Sequence, residues 1–463
     1  MKLIVWMRHD LRVRDNPALL GALKDADAVI PMVVLERFCD DREQWSLPRR
    51  RHYASMVAGL SAELERRDCG LVVRHGDPLF ELVRVLEYAQ ADGVYFCRHN
   101  DPRAMADELR VYNKLVAMGF AVRSFEQGSY LSPDAVVDPK GKPYAVWNRY
   151  WRAWTAVRKP APRRTPNAFP YPADMRQVAG LPEPAVFGLD EEQIPAGGEP
   201  AAHKLWLDFL KNRIFLYADQ RLDDQRTHTS TASPFISWGA LPLTMLGRSL
   251  SAQAGTSLTE YKGQCVGSVI SALAMRDFCA MRLASRAALR DELAEIMTVD
   301  DPLNMVHEPL QLLRAGAWMH GQTGIPIVDA AMRQLMTTGW IPHSLRQIVA
   351  FFLVRIAGVD WRVGCRHFAR CLTDYDPASN LLHWMSIGGE DAGLPKKTPW
   401  QLQPLAAARK LDASGRYTAR YVPELRRLPA SLIHTPWRRR LYVARRFGLR
   451  LGVNYPAPVI AVE

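Results

Sequence analysis

The sequence predicts two successive folds in one chain, an α/β N-terminal domain built on a parallel doubly wound sheet and an all-α C-terminal domain. Three observations carry this. Short β-rich runs at Leu3–Met7, Ala28–Leu35, Gly70–Arg74, Gly93–Cys97 and Ala121–Phe125 alternate with amphipathic stretches such as Tyr53–Glu65 and Ala104–Ala117, the pattern of strand–helix–strand units. From about Lys159 to Pro200 the chain turns rich in Pro, Gly and Ala, as in KPAPRRTPNAFPYP and IPAGGEP, and reads as a connector that holds no continuous helix. Beyond it, residues 203–455 repeat helical apolar spacing without strand alternation, as in Ala202–Tyr217, Val328–Met336, Leu345–Ile356 and Cys365–Leu372. The expected division is an α/β domain over residues 1–130, a connector over 131–200 and a helical domain over 201–463.

Within the first domain, VWMRHDLRVRDNPAL (Val5–Leu19) joins a buried strand to a charged turn and then to a helix. Asp15 or Asn16 suits the cap and Pro17 the first helical turn. Arg8, Asp10 and Arg12 fall at the carboxyl end of the first strand, where open α/β sheets bind ligands. No GxGxxG follows that strand, so the usual dinucleotide fingerprint is missing.

Composition narrows the function. Over 463 residues, 60 Lys+Arg against 48 Asp+Glu leave a formal charge of +12, which favours an anionic partner. A content of 48% hydrophobic and 23% charged residues excludes collagen-like, disordered and coiled-coil classes. No window nears the ~20 apolar residues of a membrane span, and charges in MKLIVWMRHDLRVRDN sit where a signal peptide needs its apolar stretch, so the expected location is cytoplasmic. The seven cysteines contain no CxxC; reduced thiols fit better than disulfides or an iron–sulfur cluster. Positive charge is densest at Arg426, Arg427, Arg438, Arg439, Arg440, Arg445, Arg446 and Arg450, a stretch whose plainest reading is a solvated basic surface.

Two clusters in the helical region carry chemistry. Tyr217-x3-Arg221 precedes Thr229-Ser230-Thr231-Ala232-Ser233-Pro234 and Gly239. Consecutive hydroxyls and backbone N–H groups before a helix make a phosphate cradle, although Ser and Thr are also ordinary helix caps. The other cluster runs from Trp318 through GIPIVDAAMRQL to Gly339-Trp340, His343, Arg346, Asp360-Trp361-Arg362, Asp374-Tyr375-Asp376, Asn380 and Trp384. Helices so dense in Trp, Asp and Arg imply buried charges, paired with each other or with a polar ligand.

In order and spacing these strings resemble the DNA photolyase/cryptochrome family of flavoproteins. The likeness runs over nearly the whole chain, from WMRHDLRVRDNPAL through TSTASP, WMHGQTGIPIVDAAMRQL, TGWIPHSLRQIVAFFLV, VDWRVGCRHF and DYDPASNLLHW to KLDASGRYTARYVPEL. It implies an N-terminal antenna domain and a helical domain that binds FAD, with room for a second, antenna chromophore of unspecified chemistry. By the resemblance, Tyr217, Thr229, Ser230 and Ser233 hold the FAD diphosphate and its neighbours. Arg346 and Asp374 pair beside the isoalloxazine, Asp376 sits at the bend between adenine and flavin, and Asn380 faces flavin N5. Trp384 and Trp361 match the first two members of the family's electron-transfer chain; packing is the ordinary alternative. No tryptophan lies between Trp238 and Trp318, so the third member is missing.

The departures from the family concern the lesion. Where photolyases of cyclobutane dimers usually read Glu-x-x-Trp-Arg-Glu-Phe, this chain reads Ala272-Leu273-Ala274-Met275-Arg276-Asp277-Phe278. The acid and the stacking Trp are gone, and a second stacking Trp is replaced by Ser386. Each absent platform removes roughly 1–3 kcal/mol of stacking per base. His343 matches a catalytic histidine of the (6-4) photolyases and can donate a proton, while the second histidine expected four residues later is Gln347. A satisfied core histidine is the alternative.

The expected function is light-driven, FAD-dependent repair of pyrimidine photoproducts in UV-damaged DNA, a lyase activity. Two other readings compete: a cryptochrome-like blue-light receptor, and a flavoenzyme in which Ala272, Met275 and Ser386 open a cavity for a small molecule. No membrane partner and no metal are expected.

Overall fold

The computed structural model describes residues 1–35, 44–190, 194–217, 222, 228–254, 264–390, 392–395 and 399–461. Five parallel strands, β1 (Lys2–Trp6), β2 (Ala28–Leu35), β3 (Val72–His75), β4 (Gly93–Cys97) and β5 (Ala121–Phe125), form one sheet in the order β3-β2-β1-β4-β5. Ile4 lies opposite Ile30 on one side and Val94 on the other. The order reverses between β1 and β4, the switch point of a doubly wound sheet.

Helices α1 (Pro17–Asp25), α2 (Leu47–Glu65), α3 (Pro78–Ala89) and α4 (Pro102–Ala117) connect the strands. Side chains alternate along a strand, so Ile4 and Trp6, Ile30, Met32 and Val34, and Val94 and Phe96 share one face. There they pack with Leu82, Val85 and Leu86 of α3 and Val111 and Leu115 of α4. Both faces of β1 are buried, which explains a continuous apolar run rather than an alternating one. Side chains of Asn16, Asp77 and Asp101 accept from backbone N–H groups at the starts of α1, α3 and α4, each followed by Pro.

The connector holds α5 (Trp147–Ala156) and two 3-10 turns, Ala173–Val178 and Pro184–Phe187, before α6 (Gly198–Asn212). Then come α7 (Ser233–Ser237), α8 (Leu243–Ala254), α9 (Gln264–Ser285), α10 (Ala287–Thr298), α11 (Pro309–Met319) and α12 (Pro326–Thr338). α13 (His343–Phe351) runs into a π-helical turn, Phe352–Ile356, ahead of α14 (Trp361–Cys371) and α15 (Pro377–Gly388). The chain finishes with α16 (Pro399–Leu402), α17 (Pro404–Leu411), α18 (Arg416–Tyr421), α19 (Ala430–Ile433) and α20 (Arg440–Phe447).

Two compact units emerge: a first of residues 1–212, 230–294 and 373–378, and a second of residues 213–229, 295–372 and 379–463. Among the described residues no helix is long and apolar enough to cross a membrane.

Candidate functional site

The charged turn after β1 is self-contained. The Arg8 guanidinium lies 2.8 Å from Glu108 with both side chains buried, and Asp10 accepts from the Arg8 backbone N–H at 2.8 Å and from Asn16 Nδ2 at 3.0 Å. Arg12 donates to the carbonyls of Arg14, Asp15 and Gly239 and to Gln127. These charges, expected from sequence to line a ligand crevice, are matched by the chain itself. Beside them His9 stacks between His99 and Trp238, with ring centroids 3.8 and 4.8 Å away. Burial holds both imidazoles far toward the neutral form, His99 down to about 3.

In the same unit the hydroxyl loop meets the Asp-Tyr-Asp segment. Ser233 Oγ donates to Asp374 Oδ2 at 2.6 Å, Ser237 Oγ to the Asp374 carbonyl at 3.0 Å, and Trp238 Nε1 to the Thr373 carbonyl at 3.1 Å. Ser230 Oγ receives the Ala232 N–H at 3.3 Å. The intervening Thr231 has a φ of 49°, in the left-handed region a threonine rarely adopts.

On α9, Ala272, Met275 and Arg276 are spaced for one helix face, with Ala272 exposed and the other two half-buried. Arg276 pairs with Asp376 at 2.9 Å. The opposite side carries Asp277, which accepts from the N–H groups of Tyr130 and Leu131 and from Trp154 Nε1 at 2.7, 2.9 and 2.8 Å. Burial pushes Asp277 up to about 6 despite those bonds.

The second unit contains the remaining candidates. Tyr217 follows a 3-10 turn, and burial raises its phenol. Arg221 lies outside the described residues. Arg213 donates to the Thr229 carbonyl at 3.1 Å, while the buried Thr229 hydroxyl has no hydrogen-bond partner among the described residues. Arg346 Nε donates to the Ile341 carbonyl at 2.9 Å; Arg346 and Asp374 belong to different units. Buried Asn380 spends its amide N–H groups on Cys365, at 2.9 Å to the carbonyl and 3.2 Å to Sγ. Its Oδ1 is therefore the atom left to receive an N–H.

Helices α14 and α15 approach closely enough that each places a tryptophan over a glycine of the other. A β-carbon on Gly364 would collide with the Trp384 ring, and one on Gly388 would lie 2.5 Å from the Trp361 ring. Trp361 Nε1 donates to Glu390 at 2.8 Å. Trp384 also meets the fully buried Trp318 edge to face, centroids 6.0 Å apart.

His343 opens α13, and Gln347 stands one turn along the same helix. The residue that sequence reasoning missed is His383, whose ring stands 5.2 Å from that of His343 at 77°. Its Nδ1 lies 2.6 Å from the Ser379 carbonyl; a carbonyl only accepts, so Nδ1 carries hydrogen and Nε2 is the second polar atom of the ring. The available signal was spacing, because His383 follows Asn380 by three residues and precedes Ser386 by three on α15.

Other acids of these strings are structural. Asp329 accepts from the Thr323 and Gly324 N–H groups, the Thr323 hydroxyl and the Tyr455 hydroxyl at 2.6 to 3.0 Å. Asp412 accepts from the N–H groups of Tyr417 and Thr418 and from the Thr418 hydroxyl. Among the described residues no cluster of His, Cys, Asp or Glu could hold a metal ion.

A parallel α/β sheet followed by a helical region with hydroxyls, acids and an oriented amide is a two-part architecture suited to a polar, phosphate-bearing ligand. Family comparison agrees: residues 3–170 match DNA photolyase and residues 269–463 match the FAD-binding domain of DNA photolyase. A deoxyribodipyrimidine photo-lyase of Streptomyces griseus is 31% identical, covering 99% of this chain and 96% of its own length. The crystal structure of a bacterial class III photolyase from Agrobacterium tumefaciens superposes with a TM-score of 0.82 at 29% identity, over 99% of this chain and 94% of that one. Cryptochrome-1 of Arabidopsis thaliana is 27% identical over 99% of this chain and 68% of its length. The chain belongs to the DNA photolyase/cryptochrome family and carries that family's FAD-binding domain.

The residues present suit that cofactor. A buried hydroxyl left unpaired costs roughly 1–3 kcal/mol, and a phosphate oxygen is a natural partner for Thr229. Asn380 offers an acceptor oxygen of the kind that a flavin N–H can use.

Proposed function

We propose that this chain is a light-driven photolyase acting on pyrimidine photoproducts in DNA, with a pocket turned away from cyclobutane dimers and toward the (6-4) product. Bound reduced FAD would supply the single electron that opens the lesion. Tyr217, Thr229, Ser230 and Ser233 hold the cofactor's phosphate side. Arg346 and Asp374 flank the ring, and Asp376, steered by Arg276, marks the bend. Asn380, with its N–H groups spent on Cys365, favours a ring that carries a proton at the facing nitrogen, which is the state a repair enzyme needs to hold. Trp384 and Trp361 replenish electrons from the protein side.

The observation that carries the lesion preference is the face formed by His343 and His383. Where stacking rings and an acid would serve a cyclobutane dimer, Ala272, Met275 and Ser386 offer neither, and the two imidazoles offer acid–base groups instead. The test is loss of lesions from UV-irradiated DNA by the reduced, flavin-loaded protein under blue light and in the dark. Light-dependent loss is expected; flavin-loaded protein that removes no lesion in the light contradicts the reading. That outcome would favour a blue-light receptor, a reading supported by the cryptochrome relatives and by the aromatic packing around Trp384.

A further inference from the structure

Eight arginines between Arg426 and Arg450 present an exceptional surface. Arg426, Arg427, Arg438, Arg439, Arg440, Arg445, Arg446 and Arg450 are all exposed, and no Asp or Glu occurs from residue 426 to residue 462. None of the eight makes an ion pair among the described residues. By contrast, Arg8 pairs with Glu108, Arg276 with Asp376 and Arg333 with Glu424.

The arginines stand on a folded scaffold. On α20, Val443 is buried and anchors the helix, while Leu441 (70% exposed), Tyr442 (50% exposed), Arg445 and Arg446 face solvent. Arg445 and Arg446 follow Leu441 and Tyr442 by one turn, so each guanidinium has an apolar neighbour on the same face. Gly448, at φ 72°, caps the helix through its N–H to the Ala444 carbonyl. The chain then returns to the core, where the buried Tyr455 hydroxyl donates to Asp329 at 2.7 Å and the Val459 N–H to the Thr323 carbonyl at 2.9 Å. Such anchoring distinguishes the segment from a disordered basic tail.

We propose that this segment is a docking surface for the phosphate backbone of duplex DNA, made of residues separate from the candidate flavin and lesion residues; it rests on DNA being the partner. Unmatched like charges repel one another, and a polyanion relieves that repulsion while releasing its counterions. The cations are all arginine, with no lysine after Lys410, and the planar guanidinium fork fits phosphate oxygens in pairs. The surface would supply sequence-independent affinity, leaving discrimination to the lesion pocket.

The test uses the full-length, flavin-loaded protein and an undamaged duplex, with affinity measured by fluorescence anisotropy across a salt series. Arg438→Gln/Arg439→Gln/Arg440→Gln and Arg445→Gln/Arg446→Gln/Arg450→Gln are the variants. Every phosphate that is no longer neutralised lowers the steepness of log K against log salt by about 0.9, so each triple variant is expected to lose about 2 to 3 in slope and about 10–100-fold in affinity at low salt. Bound flavin and the single-turnover rate of lesion repair at saturating DNA stay unchanged. Wild-type slope and affinity in both variants, with repair intact, would overturn the docking surface and leave the repair reading standing. Absence of salt-dependent duplex binding by the wild type would overturn both. Tighter binding to phosphatidylserine vesicles than to duplex, abolished in the same variants, would overturn the assignment to DNA.

Discussion

The turn after β1 and the arginine segment around α20 look alike as sequence, MRHDLRVRD and RRRLYVARR, yet the fold treats them in opposite ways. Arg8, Asp10 and Arg12 are buried and matched by Glu108, Asn16 and backbone carbonyls. The arginines of α20 are exposed and without ion pairs among the described residues. Charge density alone therefore says little. A charge matched inside the chain maintains the fold, whereas one left for solvent is available to a partner.

The comparison breaks most sharply at Glu108. Removing one partner of a buried pair costs about 3–5 kcal/mol, so Glu108→Gln should lower unfolding free energy in urea by that order, while Arg445→Gln/Arg446→Gln should stay within about 0.5 kcal/mol per residue. Equal losses would show that the two regions are not different in kind.

Acid pH should act on the buried histidines next. His9, His52, His99 and His367 are held neutral chiefly by desolvation, His52 down to about 4 and His99 and His367 to about 3. Below the ordinary histidine value, near 6.5, the unfolded chain takes up protons that the folded chain refuses. Stability present above that pH is thus lost on acidification, by roughly 1.4 kcal/mol per pH unit for each histidine. Asp277 opposes this. Its value is raised to about 6, so its contribution is present below about 4 and lost as pH rises through 6. Urea unfolding at pH 7, 6 and 5 should show falling stability, and Asp277→Asn should steepen the fall.

Smaller in stability but larger in function is Trp384. Trp384→Phe keeps a ring over Gly364 and should cost about 1–3 kcal/mol for the lost ring volume, yet flavin photoreduction should slow at least ~10-fold, read by transient absorption, because phenylalanine is not a donor. An unchanged rate would send the electrons by another route.

Much of this organisation was legible in sequence. The strands agree to within two residues; β3 starts at Val72, two residues after the start expected at Gly70, where an added β-carbon would collide with Ala179 and Tyr171. Helix α2 begins at Leu47 rather than near Tyr53 because Arg49 and Arg50, which look like surface residues, are buried. Asn16 is the cap of the first helix, and Asp15 takes a φ of 52°. The pairing of His343 with His383 was hidden because it joins two helices far apart in the chain, and helix periodicity predicts neighbours only within one helix. The same limit concealed the bonding of Asn380 to Cys365.

The most direct test is repair by fully reduced protein under blue light of two oligonucleotides, one with a single (6-4) product and one with a single cyclobutane dimer. The (6-4) product should be repaired at least ~10-fold faster, since each missing stacking partner weakens capture by roughly 1–3 kcal/mol. His343→Ala and His383→Ala should each remove that advantage and leave flavin bound. Fast cyclobutane repair that neither substitution slows would contradict the account.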